Sequence, residues 1–129
     1  MRLLLIAAFV LLAAAAAPAQ SSSTSLRIMV WPEGEGGERK AWTLRCNPVG
    51  GTLPRRAAAC RKLAALQRPF APLQGDEVCT MIYGGPQQAL VTGTHRGRRI
   101  WTTFARKDGC HIARWQRHGF LFPVAVGAA

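Results

Sequence analysis

Four cysteines limit the folds open to this chain of 129 residues: Cys46, Cys60, Cys79 and Cys110. An even number of cysteines in an oxidising compartment is typical of a small domain held together by disulfides. The start of the chain predicts such a compartment, because a basic Met1-Arg2 precedes an apolar run from Leu3 to Ala17 and the cleavage signal Ala17-Pro18-Ala19. We therefore interpret residues 1–19 as a signal peptide and expect secretion, either to the medium or to the periplasm.

Four cysteines allow three pairings, and we favour Cys46–Cys60 with Cys79–Cys110 because these bonds close two separate loops. The pattern does not indicate a zinc site. It contains no Cys-x-x-Cys pair, and the histidines do not stand at ligand spacing relative to the cysteines: His95, His111 and His118. We predict neither a metal nor a cofactor.

The net charge of +11 makes the chain strongly cationic, with arginines in several clusters. Such a charge favours acidic partners or anionic surfaces. It does not indicate nucleic acid, because no motif with interleaved aromatic residues accompanies it. The apolar run near the start is too short to favour a spanning helix, and no later segment is long and apolar enough, so we predict no membrane span.

The pattern after the signal peptide predicts a single domain in which strands predominate over one clear helix. A disordered leader is expected at residues 20–25, the domain at 26–122 and a frayed tail at 123–129. Short connections favour an antiparallel sheet and an α+β fold. The predicted strands are 26–31, 41–46, 88–93, 98–106 and 119–122, the predicted helix is 55–66 with Thr52 as a candidate cap, and residues 111–117 have no assignment.

The segment Glu77–Pro86 carries four large apolar residues between turn-forming flanks: Val78, Met81, Ile82 and Tyr83. On local pattern alone, a short buried strand with an ordinary structural cystine is the stronger interpretation. The alternative is an exposed loop, tied down by a disulfide at Cys79 and offered to another protein. In that interpretation Met81 enters the specificity pocket of a protease.

Several motifs, in order along the chain, resemble the Streptomyces subtilisin inhibitor family. They are Leu44-x-Cys46-x-Pro48, Gly50-Gly51-Thr52-x-Pro54, Ala57-Ala58-Ala59-Cys60, Cys79-Thr80-Met81-x-Tyr83, the hairpin Gly93–Arg99, Thr103-Phe104, Cys110 and Phe120-Leu121-Phe122. The resemblance implies a five-stranded antiparallel sheet with two helices packed on it and the disulfides 46–60 and 79–110. It also implies a homodimer formed through the sheet.

The same resemblance implies a secreted inhibitor of subtilisin-type serine proteases that binds like a substrate, with a reactive bond between Met81 and Ile82. Val78 would fill the fourth pocket on the acyl side, Thr80 would lie against the catalytic histidine, and Tyr83 would contact the leaving-group side. Cys79 and Gly84 would complete the protease-contacting loop. The chain departs from the family pattern at Gly84-Gly85-Pro86, which predicts a more flexible leaving-side flank.

Two other classes of function are weighed against inhibition. The arginine clusters suggest a secreted cationic module that binds an anionic glycan, an envelope or a nucleic acid without inhibiting anything. An enzyme with a Cys110 nucleophile beside Asp108 and His111 is rejected, because export makes Cys110 a disulfide partner. A serine triad in the folded part is excluded, since no serine follows Ser25. We predict that the protein is not an enzyme.

Overall fold

The computed structural model describes residues 13, 14 and 22–123, and the predicted signal peptide lies almost wholly outside them. One five-stranded antiparallel sheet carries the fold, in the order β3-β2-β1-β4-β5. The elements are β1 (Thr24–Trp31), β2 (Lys40–Cys46), β3 (Gly50–Gly51), α1 (Arg56–Ala65), β4 (Gln88–His95), β5 (Arg98–Ala105), α2 (Gly109–Arg117) and a 3₁₀ turn (Gly119–Leu121). Among the described residues, no helix is long and apolar enough to cross a membrane. The predicted α+β class is confirmed.

Side-chain alternation along the strands sets which face of the sheet forms the core. In β1 the buried residues alternate with residues that face the opposite side, as expected for a half-covered sheet. The inward side chains of the four longer strands are buried together: Leu26, Ile28, Val30, Leu44, Ala89, Val91 and Phe104. The two helices and the 3₁₀ turn contribute the other half of the core, including Leu63, Trp115 and Phe122.

Helix α1 is fastened to β2 by the Cys46–Cys60 disulfide, whose Cα atoms lie 5.7 Å apart. The helix buries Ala59 and Leu63 against the sheet. Thr52 does not cap the helix as predicted, because its hydroxyl instead accepts a 3.0 Å hydrogen bond from the N–H of Thr43 in β2. The residue at the cap position is Arg55, which has a left-handed backbone and makes no capping hydrogen bond through its side chain.

Three predicted elements need correction. The predicted strand 119–122 is a 3₁₀ turn with i to i+3 hydrogen bonds, and its Phe122 ring packs 4.6 Å from the Trp115 ring in the core. The fifth strand is instead Gly50–Gly51, which pairs with Leu44 and Arg45. The predicted disordered leader 20–25 ends inside the sheet, because Thr24 and Ser25 pair with β2 on one side and β4 on the other.

The unassigned stretch 111–117 lies in α2, the second helix that the family resemblance implies. Asp108 caps it: a side-chain oxygen accepts a 2.9 Å hydrogen bond from the backbone N–H of His111. Trp115 on this helix is buried against the core. The predicted frayed tail at 123–129 falls outside the described residues, apart from Pro123.

Candidate functional site

The segment 77–86 is an exposed loop without helix or strand. Its four apolar side chains point into solvent, with Val78 fully exposed, Met81 94% exposed, and Ile82 and Tyr83 60% and 69% exposed. The buried-strand interpretation favoured by the local pattern is therefore wrong. Apolar side chains gathered on one exposed loop are typical of a surface that binds another protein.

A disulfide between Cys79 and Cys110 ties this loop to the first turn of α2, with Cα atoms 5.3 Å apart. Both predicted pairings are thus confirmed, and no described cysteine is free. Because Cys110 is bonded to Cys79, it has no thiol to act as a nucleophile. The bond lies two residues before Met81, on the acyl side of the predicted reactive bond.

A backbone hydrogen bond reinforces the disulfide at the next residue. The N–H of Gly109 donates to the carbonyl oxygen of Thr80 over 2.9 Å. A Cβ atom at position 109 would collide with the hydroxyl oxygen of Thr80, so only glycine allows this approach without movement. The acyl side of the loop is therefore held by two consecutive residues.

The other side of the loop is held by Gly84. Its N–H donates a 2.7 Å hydrogen bond to the carbonyl oxygen of Arg106, just after β5. A Cβ atom at position 84 would lie 2.7 Å from Cγ1 of Ile112 on α2, so the backbone packs directly on that helix. The flank predicted to be flexible is thus hydrogen-bonded at its first glycine, and the segment Met81–Tyr83 spans the gap between two anchors.

Electrostatics help to fix the start of α2, on which both acyl-side anchors depend. The pKa of Asp108 is lowered, first by the hydrogen bond from the His111 N–H and then by the one from the His111 ring. The ring nitrogen Nδ1 lies 2.7 Å from the Asp108 carboxylate. Asp108 is therefore ionised at neutral pH, where a carboxylate cap is most effective.

The sequence identified the exposed residues of the loop but missed the groups that hold it, namely Arg106, Asp108, Gly109 and Ile112. An aspartate ahead of a segment containing alanine, arginine and glutamine is a typical helix start, and that signal could have found α2. The hydrogen bonds to Gly109 and Arg106 have no sequence signature.

Comparison with known proteins gives the family. A family model described as subtilisin inhibitor-like matches residues 21–106. The chain belongs to the subtilisin inhibitor-like family. The matched range ends at Arg106, so Cys110 and helix α2 lie beyond it.

Two curated relatives agree with this family. A subtilisin inhibitor of Streptomyces violaceus is 38% identical over 93 residues, which cover 64% of this chain and 63% of the relative. Subtilisin inhibitor-like protein 5 of Streptomyces fradiae is 39% identical over 64 residues, or 47% of this chain and 59% of that protein. The chain therefore spans less than two thirds of the length of either relative.

The fold is also found in solved structures. Sermetstatin of Streptomyces caespitosus, whose crystal structure is a complex with Bacillus licheniformis subtilisin, superposes with a TM-score of 0.50 at 24% identity. The superposition covers 78% of this chain and 97% of sermetstatin. At this identity the likeness shows the fold alone.

Proposed function

We propose that this protein inhibits subtilisin-type serine proteases by presenting residues 78–84 as a substrate, with Met81–Ile82 as the reactive bond. The observation that carries the proposal is the position of Met81: its side chain is 94% exposed between two anchors on the same scaffold. Membership of the subtilisin inhibitor-like family and the subtilisin complex of sermetstatin support the same target class.

The two anchors give a physical reason for slow hydrolysis. A serine protease that attacks the Met81 carbonyl forms an acyl-enzyme and must release the segment that begins at Ile82. The Gly84 N–H bond to Arg106 holds that segment next to the acyl group, while Cys79 holds the acyl side. The new amine therefore stays in place and re-forms the peptide bond faster than water completes hydrolysis.

Loop side chains supply the contacts with the protease. Met81 is long, apolar and unbranched, so it suits a broad hydrophobic specificity pocket and would suit a pocket lined by an aspartate poorly. Val78, Thr80 and Tyr83 take the flanking positions that the family resemblance assigns to them. Because the loop is already anchored in one conformation, little entropy is lost on docking, which favours tight binding.

Titration of subtilisin with the purified protein tests the proposal, with residual activity as the readout. We expect stoichiometric loss of activity with nanomolar or tighter affinity, at about −12 kcal/mol or below. Met81→Gly should weaken inhibition and Met81→Lys should shift preference toward trypsin-like proteases. Val49→Lys is the matched control, because Val49 is an exposed apolar residue outside the loop. Unchanged inhibition by both Met81 variants would show that the site lies elsewhere.

A homodimer is part of the same proposal, supported by the uncovered face of the sheet. Met29 pairs with Leu90, and Thr92 pairs with Trp101, whose side chain is 71% exposed on this face. Trp101 lies on the edge strand β5, and an exposed tryptophan is a typical interface anchor. Sedimentation should find a dimer that Trp101→Glu converts to a monomer; a wild-type monomer at micromolar concentration would refute it.

Secretion is proposed from the predicted signal peptide at residues 1–19, of which the structure describes only residues 13 and 14. Mass spectrometry of the exported protein should give a mature start at Gln20. A protein that retains Met1, or that stays inside the cell, would contradict the assignment.

A further inference from the structure

Arg114 is a buried cation that has no carboxylate partner among the described residues. Its side chain is 5% exposed, and its salt-bridge distances to every described Asp and Glu exceed 4.0 Å. Burial of an unpaired charge costs folding free energy, so the hydrogen-bond acceptors around this guanidinium are important for stability. The acceptors are the carbonyls of Thr103 and Ala71, at 2.7 and 3.3 Å, and the hydroxyl of Thr102, at 2.9 Å. The guanidinium carbon also lies 4.0 Å from the centre of the Phe104 ring.

His118, one turn further along, makes a parallel connection. It is fully buried, and its ring nitrogens lie 2.7 Å from the Arg114 carbonyl oxygen and 2.5 Å from the Pro69 carbonyl oxygen. The ring also packs 4.9 Å from the ring of Phe104. Arg114 and His118 thus bind two carbonyls of one segment, Pro69 and Ala71, which leads the chain into the exposed loop.

These contacts connect the segments that carry the loop's anchors with the segment that leads into the loop. Arg114 stands four residues after Cys110, the disulfide anchor of the acyl side. Its acceptor Thr103 stands three residues before Arg106, whose carbonyl holds Gly84 on the leaving side. Its acceptor Ala71 belongs to the irregular segment that leads into the loop. One guanidinium therefore joins the entering segment, α2 and β5 through directional hydrogen bonds.

We propose that Arg114 is a positioning residue for the loop 77–86: it fixes the spacing between the anchors and thereby keeps the loop in its inhibitory shape. The inference rests on the proposed function, because the loop it positions is the one proposed to bind the protease. Arg114 touches no residue of 78–84 by a hydrogen bond, so it acts through Ala71, Thr103 and the helix that carries Cys110.

Amide hydrogen exchange tests this inference without a protease. The N–H groups of Gly84 and Gly109 report the two anchors directly, and the N–H of Val91 in the interior strand β4 reports global stability. In Arg114→Met we expect exchange at Gly84 and Gly109 to accelerate at least about tenfold relative to Val91. Arg114→Lys keeps the charge but loses the planar guanidinium with its several N–H donors. It should therefore accelerate exchange at Gly84 and Gly109, relative to Val91, by less than Arg114→Met does.

Two controls separate positioning from general destabilisation. Arg117→Met removes an exposed arginine from the same helix and should leave the ratio unchanged. Leu63→Ala creates a cavity far along α1 and should affect Gly84 and Gly109 no more than Val91. If Arg114→Met does not fold, Arg114→Lys is used instead, and the inference is judged from its exchange rates at Gly84 and Gly109 relative to that at Val91. Acceleration at the two glycines that merely equals that at Val91 overturns the inference.

A second readout follows the proposed reaction. Subtilisin should hydrolyse the Met81–Ile82 bond of Arg114→Met at least about tenfold faster than that of the wild type, because a loosened anchor lets the new amine leave. Leu63→Ala should be cut at the wild-type rate well below its melting temperature. If the wild type fails to inhibit subtilisin, the proposed function is wrong, while the exchange ratio still decides the role of Arg114.

Discussion

The backbone N–H of Gly109 donates a 2.9 Å hydrogen bond to the carbonyl oxygen of Thr80, one residue before the proposed reactive bond. The contact brings the first turn of α2 against the exposed loop, beside the disulfide that joins the neighbouring residues. It makes the amino end of a helix part of the proposed inhibitory machinery. Its consequences can be tested by substitutions that separate loop geometry from stability.

Gly109→Ala should weaken inhibition. Alanine favours a helix over glycine by about 1 kcal/mol, but its Cβ would displace Thr80. We expect a loss of about 1–3 kcal/mol in binding, measured as the inhibition constant against subtilisin. Gly119→Ala is the control, because no atom lies within 4 Å of a Cβ at that position. Equal inhibition constants for both variants would contradict the role of the contact.

The two disulfides should have separable effects. Each contributes on the order of 3 kcal/mol to stability in the chain-entropy model. Replacing Cys79 and Cys110 by alanine should lower the melting temperature and also turn the protein into a substrate that is cut at the loop. Replacing Cys46 and Cys60 should lower the melting temperature with inhibition retained below it. The comparison fails if the 46–60 variant is cut as fast as the 79–110 variant.

Stability should fall on mild acidification because of one buried histidine, His118, and one half-buried histidine, His95. Burial lowers the pKa of His118, an effect that the Arg114 and Pro69 carbonyls beside its ring offset only in part, and burial likewise lowers the pKa of His95. The unfolded chain therefore binds more protons than the folded chain once the pH falls below about 6.5, so the free energy of unfolding decreases there. The slope should not exceed about 1.4 kcal/mol per pH unit for each histidine.

Urea unfolding at several pH values between 8 and 5 measures this slope. His95→Gln should reduce the slope while leaving the part due to His118. A free energy of unfolding that is constant over this range, or that increases on acidification, would contradict the lowered pKa values.

The cationic surface predicts binding to a sulfated or phosphorylated polyanion. Within residues 22–123, the only ion pair joins His111 to Asp108, so every described lysine and arginine is free of a carboxylate partner. Four exposed basic residues lie on α1 or at its N-cap: Arg55, Arg56, Arg61 and Lys62. Retention on heparin should decrease steeply with salt and fall in Arg61→Glu/Lys62→Glu. Lys107→Glu removes a basic residue outside α1 and serves as the comparison. If the α1 variant elutes at the same salt concentration as the wild type, there is no polyanion-binding patch on α1.

Much of the fold could be predicted from sequence because its signals are local. Alternating apolar residues in Leu26-x-Ile28-x-Val30 predict β1, and an alanine-rich stretch predicts α1. The short strand Gly50–Gly51 carries no such signal, because two glycines give neither alternation nor β-propensity. Phe120–Phe122 looked like a strand but packs as a turn, since Trp115 and Phe104 hold its buried ring.

The candidate site could likewise be predicted only in part from the sequence. The apolar residues of the loop are visible in the sequence, but their exposure is not, and the local pattern favoured burial. Exposure follows from anchors that are distant in sequence: Gly109 for Thr80, and Arg106 for Gly84. In the sequence Arg114 is one of several clustered arginines, and only the fold places it beneath Phe104 and the segment at Ala71.

Mass spectrometry of the protein after prolonged incubation with a catalytic amount of subtilisin tests the reactive bond most directly. We expect one slow cut, between Met81 and Ile82, in a protein that still inhibits and whose two pieces remain joined by the Cys79–Cys110 disulfide. Rapid cleavage at several bonds, or a first cut outside residues 78–84, would contradict inhibition through this loop.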